Sequence, residues 1–163
     1  MTVVPNISSE LTKAALKTFD FFQAERLTFA LAESCTGGLC AAAFTEIPGA
    51  SSRFLCGYVV YSNEAKRRDL GVSEETLARF GAVSAETVSQ MLKGLREKTG
   101  CAVAGAVSGI AGPGGGTREK PVGTVFIGTA GPRGEKIGRF LFQGGREDVR
   151  RQAALTLIRM LAE

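Results

Sequence analysis

The chain of 163 residues contains no histidine, no tryptophan and only two tyrosines. The missing histidine excludes every Ser-His-Asp or Cys-His mechanism and every histidine metal site, so a nucleophile here needs another base. The four cysteines, Cys35, Cys40, Cys56 and Cys101, show no CxxC spacing and sit among apolar or glycine-rich neighbours. This speaks against a zinc site or redox pair and for reduced thiols in a cytoplasmic protein. No run of about 18 apolar residues occurs, and the first ten residues lack the basic and apolar regions of a secretory leader. A protein that is neither secreted nor membrane-spanning is expected.

What is present fits one domain over residues 1–163, with 44% hydrophobic and 22% charged residues. Twenty Lys plus Arg against sixteen Asp plus Glu leave a net charge of +4, which suits an anionic small molecule. Nucleic acid is not expected as a partner, since aromatics for base stacking are few. The 21 glycines cluster at Gly37-Gly38, between Gly105 and Gly116, and at Gly144-Gly145, where they mark local backbone tasks.

Apolar spacing predicts a helix over residues 9–24, from Leu11, Ala14, Ala15, Leu16, Phe19 and Phe22, and another over 147–161, from Val149, Ala153, Ala154, Leu157, Ile158 and Leu161. Further helices are expected over 39–44, from the cap Asn63 to about Leu70, over 73–81 and over 84–99. Strands are expected over 27–32, 54–61, 101–107 and 122–129, with 137–142 as a hairpin partner beyond the turn 131–134. This alternation favours an α/β fold, a three-layer α/β/α sandwich around a mixed β-sheet. Strand order does not follow from the pattern.

Three segments can carry chemistry. Ala32-Glu33-Ser34-Cys35-Thr36-Gly37-Gly38 turns a strand end into a helix, which makes either an anion site of backbone N–H groups or a tight turn capped by Thr36 or Ser34. The loop beginning Ser108-Gly109-Ile110-Ala111-Gly112-Pro113-Gly114 follows a strand, where α/β sheets bind ligands, yet matches neither a P-loop nor a dinucleotide fingerprint. Pro48-Gly49-Ala50-Ser51-Ser52 and Tyr61-Ser62-Asn63-Glu64-Ala65-Lys66 together supply a serine and a lysine. A lysine of ordinary pKa near ~10.4 is neutral in about one molecule in 2,500 at pH 7, so burial must lower its pKa before it can act as a base. Arg146, Arg150, Arg151, Lys136 and Arg139 read as a solvated face, with a phosphate-facing arginine as the alternative.

These blocks, with Gly81-Ala82-Val83-Ser84 and Lys120-Pro121-Val122-Gly123-Thr124-Val125, resemble the C-terminal domain of the CinA family, the competence/damage-inducible proteins that include nicotinamide-nucleotide amidohydrolases. The resemblance implies a cofactor-free, metal-free amidohydrolase that converts nicotinamide mononucleotide to nicotinate mononucleotide and ammonia, with Ser51, Tyr61 and Lys66 as catalytic residues. The pyrophosphatase domain of longer relatives is not expected here. Phosphate and ribose are expected against Ser34, Thr36, Gly37 and Gly38 and against Ser108, Gly109, Gly112 and Gly114, with Asn63 nearby. Ser34 and Cys35 stand as alternative nucleophiles. The other functional class that fits is a non-catalytic nucleotide-binding or regulatory module linked to competence or DNA damage. A homo-oligomer is expected in either case.

Overall fold

The computed structural model describes residues 9–163, so the leader-free reading of residues 1–10 falls almost wholly outside them. Helix α1 (Ser9–Glu25) leads into β1 (Phe29–Glu33), and α2 (Leu39–Thr45) with a 3-10 turn (Ala50–Ser52) leads into β2 (Phe54–Val59). Three helices, α3 (Asn63–Leu70), α4 (Glu74–Phe80) and α5 (Ala85–Thr99), return the chain to β3 (Val103–Gly109). The hairpin of β4 (Thr124–Gly131) and β5 (Gly134–Leu141) precedes α6 (Arg146–Met160).

The strands lie in the order β2-β1-β3-β4-β5. β1 is parallel to both neighbours, whereas β3, β4 and β5 alternate in direction. The expected three-layer sandwich on a mixed sheet is what forms. Strand β5 begins at Gly134, earlier than residue 137, because pairing continues to the two-residue turn through Gly131 and Gly134. Glu135 and Lys136 are strand residues through that ladder, against their own propensity.

Each layer follows from residue size. On one face the Phe29 ring stacks 4.4 Å from Phe22 of α1 and 5.2 Å from Phe54, and meets Phe44 of α2 at a tilt, 4.6 Å away. This aromatic cluster gathers at the amino end of β1 and leaves its carboxyl end for other uses. All six apolar positions expected in the last helix are buried, but Leu16 of α1 is exposed. On the other face the alanines Ala30, Ala32, Ala104 and Ala106 admit α5 through Val88, Met91, Leu92 and Leu95. Gly94 on α5 lets α3 approach so closely that a Cβ there would sit 1.8 Å from the Leu70 carbonyl oxygen.

Helix α3 starts one residue earlier than expected. Ser62, not Asn63, is its N-cap, accepting the Ala65 N–H at 3.0 Å, so Asn63 is the first helical residue. Ser73 and Ser84 cap α4 and α5 in the same way.

Candidate functional site

After β1 the chain goes to α2 on one face, and after β2 it returns over the other face to β3. The carboxyl ends of β1 and β3 therefore flank the crevice where α/β sheets place their ligands. Ser34 continues β1 there, its N–H donating to the Val107 carbonyl, which sets it beside Ser108. Both serines are buried, and Ser108 Oγ donates to the Ala82 carbonyl at 2.7 Å.

Lys66 reaches this crevice from α3. It is 1% exposed, and its Nζ lies 3.0 Å from Ser34 Oγ, 2.7 Å from the Val60 carbonyl and 3.4 Å from the Tyr61 carbonyl. Among the described residues no carboxylate forms an ion pair with it. Burial lowers its pKa from 10.5 to about 8, against a smaller opposing pull from Cys35. In the neutral state two N–H bonds remain for the two carbonyls, and the lone pair can accept the Ser34 hydroxyl proton. A serine hydroxyl thus faces a nitrogen able to accept its proton.

The serine partner differs from the one expected. Ser51 sits, exposed, in the turn before β2, while Lys66 follows β2, so the six residues of the strand separate them by about 20 Å. The neighbouring Ser52 bonds with Gln23 of α1. The strand expected over residues 54–61 lies between the two motif blocks and holds Ser51 and Lys66 beyond its opposite ends. Cys35 is buried and its thiol is pushed up to about 11 by that burial, which keeps it protonated.

The turn from Ser34 is closed by the Gly37 N–H on the Ser34 carbonyl, and Gly37 and Gly38 take φ of 62° and 95°. Sequence left its N–H groups open to a substrate anion. Instead, the carboxylate of Glu33 fills the start of α2, accepting from the Thr36 hydroxyl at 2.6 Å and from the N–H groups of Gly38, Cys40 and Ala41 at 3.0, 3.2 and 2.8 Å. Neither Thr36 nor Ser34 caps the helix, whose N-cap is Gly38. The Thr36 N–H donates to no acceptor among the described residues, though Thr36 is fully buried.

Two arginines of the expected solvated face reach in from α6. Arg150 donates to the Cys35 and Thr36 carbonyls at 3.1 and 3.0 Å, and Arg146 donates to the Gly112 carbonyl and the Tyr61 hydroxyl, both at 2.8 Å. Their spacing of four on one helix was the available signal. Tyr61 is exposed at the rim, held by Arg146, and Asn63 is exposed nearby. Arg151 and Lys136 pair with Glu147 and Glu163 at the surface, and Arg139 bonds the Glu119 carbonyl. Gly109 has a packing role, since a Cβ there would lie 2.6 Å from Val125, and Gly114 is exposed in the loop. No cluster of His, Cys, Asp and Glu among the described residues could hold a metal ion, and no described helix is long and apolar enough to cross a membrane.

Fold and crevice together define a three-layer α/β/α protein with a desolvated serine–lysine pair at the carboxyl edge of its parallel strands. The chain belongs to the CinA C-terminal domain family, whose model matches residues 11–163. It is 54% identical over 125 residues to a nicotinamide-nucleotide amidohydrolase PncC of Enterobacter agglomerans, covering 76% of each chain. A CinA-like protein of Endomicrobium trichonymphae is 49% identical over 82% of this chain but only 31% of its own length, so the chain spans about a third of such relatives. The crystal structure of a competence/damage inducible protein from Agrobacterium tumefaciens superposes with a TM-score of 0.90 at 41% identity, covering 99% of this chain and 97% of that one. A CinA superfamily protein from Escherichia coli superposes with a TM-score of 0.89 at 27% identity, covering 99% and 95%.

Proposed function

We propose that the chain is an amidohydrolase that releases ammonia from the carboxamide of nicotinamide mononucleotide through an acyl-enzyme on Ser34, with Lys66 as the base. The observation that carries the chemistry is the buried Lys66 Nζ, without a counter-ion, 3.0 Å from Ser34 Oγ. The substrate is suggested by the relative named for that activity.

On this reading neutral Lys66 takes the Ser34 hydroxyl proton as Oγ bonds to the amide carbon, and the carbonyl electrons move onto oxygen. The Thr36 N–H, which has no acceptor among the described residues, is the donor assigned to that oxyanion. When the intermediate collapses, the C–N bond breaks and the nitrogen leaves as ammonia with the proton Lys66 had taken, Tyr61 at the rim helping to deliver it. Water then attacks the ester, giving its proton to Lys66, and the carboxylate product leaves as Ser34 regains its own. Arg146 and the loop carrying Gly112 and Gly114 face the nucleotide portion. The reading further includes a small-molecule substrate of NAD metabolism, a cytoplasmic setting, homo-oligomers and no nucleic-acid partner.

Ammonia release from nicotinamide mononucleotide tests the assignment directly. Ser34→Ala should lower it by more than about 1,000-fold, while Ser51→Ala should stay within about twofold of wild type. The reverse pattern moves the nucleophile to Ser51. A wild type that releases no ammonia favours instead a nucleotide-binding module linked to competence or DNA damage.

A further inference from the structure

We infer that Glu33 is a positioning residue for Ser34, a role that rests on the serine–lysine reading above. It is the last residue of β1, only 1% exposed, and no cation pairs with it among the described residues. A buried carboxylate without a counter-ion is costly unless it is fully hydrogen-bonded. Here four donors surround it, the Thr36 hydroxyl and three N–H groups at the start of α2.

Capping alone does not require this arrangement, since a Ser, Asp or Asn at the N-cap of α2 would do it. That position is Gly38, which has no side chain to offer. What the glutamate adds is a tie from residues 36, 38, 40 and 41 back to β1, across Ser34 and Cys35. Ser34 thus lies inside a closed ring of bonds whose outer side is held by Arg150 on the Cys35 and Thr36 carbonyls. The ring fixes what the reaction needs, the placing of Ser34 Oγ on Lys66 Nζ. Because the carboxylate already occupies the start of α2, it also excludes a substrate phosphate from that turn. Glu33 touches no reacting atom and acts on the rate through Ser34.

The test is Glu33→Gln, which keeps the shape but sets an amide NH2 against N–H donors. Circular dichroism and melting establish the temperature at which the variant is folded, and assays are run below it. Two readouts are compared with wild type: kcat and KM for ammonia release from nicotinamide mononucleotide, and the rate at which a fluorophosphonate labels Ser34, read by mass spectrometry. The expected result is a kcat lower by about 100-fold with KM within about threefold, and labelling slowed in proportion. Thr36→Val, which removes the 2.6 Å bond, should slow both, and should add nothing further in the Glu33→Gln background.

A folded Glu33→Gln protein with wild-type kcat and labelling overturns the inference, as does a raised KM at unchanged kcat. Losses from the two substitutions that multiply also overturn it, because Thr36 would then act independently. If Glu33→Gln does not fold, Thr36→Val carries the test alone, and unchanged labelling overturns it. A wild type that is labelled at Ser34 but releases no ammonia removes the substrate reading and leaves Glu33 judged on labelling. Neither labelling nor ammonia removes both.

Discussion

A lysine that titrates near 8 is neutral in about one molecule in ten at pH 7, against about one in 2,500 for an ordinary lysine. Desolvation does this without a neighbouring cation: Lys66 has carbonyls and a hydroxyl around its nitrogen and no charge to answer its own. On the proposed mechanism the neutral form is the base, so kcat/KM for ammonia release should climb tenfold per pH unit below about 8 and level off above it. A profile already flat from neutral pH upward would remove Lys66 from that role. The same residue shows what sequence could and could not deliver. The absence of histidine called for another base and left Lys66 permitted, with the family resemblance pointing to it, but its serine neighbour was not legible, because Ser34 and Lys66 are 32 positions apart and meet only through the sheet. Glu33 was hidden too, since a glutamate in a polar, glycine-containing segment gives no sign that its carboxylate turns inward.

Helices were legible because their signals are local. The hydroxyl caps Ser73 and Ser84, the stops at Gly71, Gly81 and Gly100 and the apolar period of α6 all act within a few residues. The cap of α3 slipped by one because Ser62 and Asn63 are both good caps, and only the bond to the Ala65 N–H distinguishes them. Contact between elements is not local, and Gly94 is the clearest case: on sequence it is a glycine weakening α5, in the fold it is where α3 docks. Gly94→Ala should therefore destabilise the domain by more than about 3 kcal/mol in chemical denaturation, although alanine is the better helix former. Activity should fall further than the folded fraction, because α3 carries Lys66. A stabilised Gly94→Ala protein would mean that α3 does not dock as described.

At the scale of the whole molecule, burying Lys66 costs stability. A folded-state pKa of about 8 against 10.5 for an ordinary lysine means that, between those values, the unfolded chain binds more protons than the folded one. Stability contributed through Lys66 thus rises with pH across that window, and below about 8 the full penalty applies, roughly 3 kcal/mol. Lys66→Met carries no such penalty. Its stability relative to wild type should shift in favour of wild type by roughly 3 kcal/mol from neutral pH to about 10.5, measured by urea unfolding. A difference that stays constant with pH would show that Lys66 is charged in the folded state. Strand order, the other global property, was beyond the sequence because pairings such as β1 with β3 join residues 74 apart, and with it went the meeting of Ser34 and Lys66.

Arg150 lies 115 positions beyond Cys35, the first carbonyl it holds. As the chain is made from its amino end, Ser34 and Lys66 emerge long before the guanidinium that steadies the turn between β1 and α2. A nascent chain carries Ser34 and Lys66 but not this clasp. The turn is completed late in synthesis, when α6 brings Arg150 onto residues that were translated near the beginning.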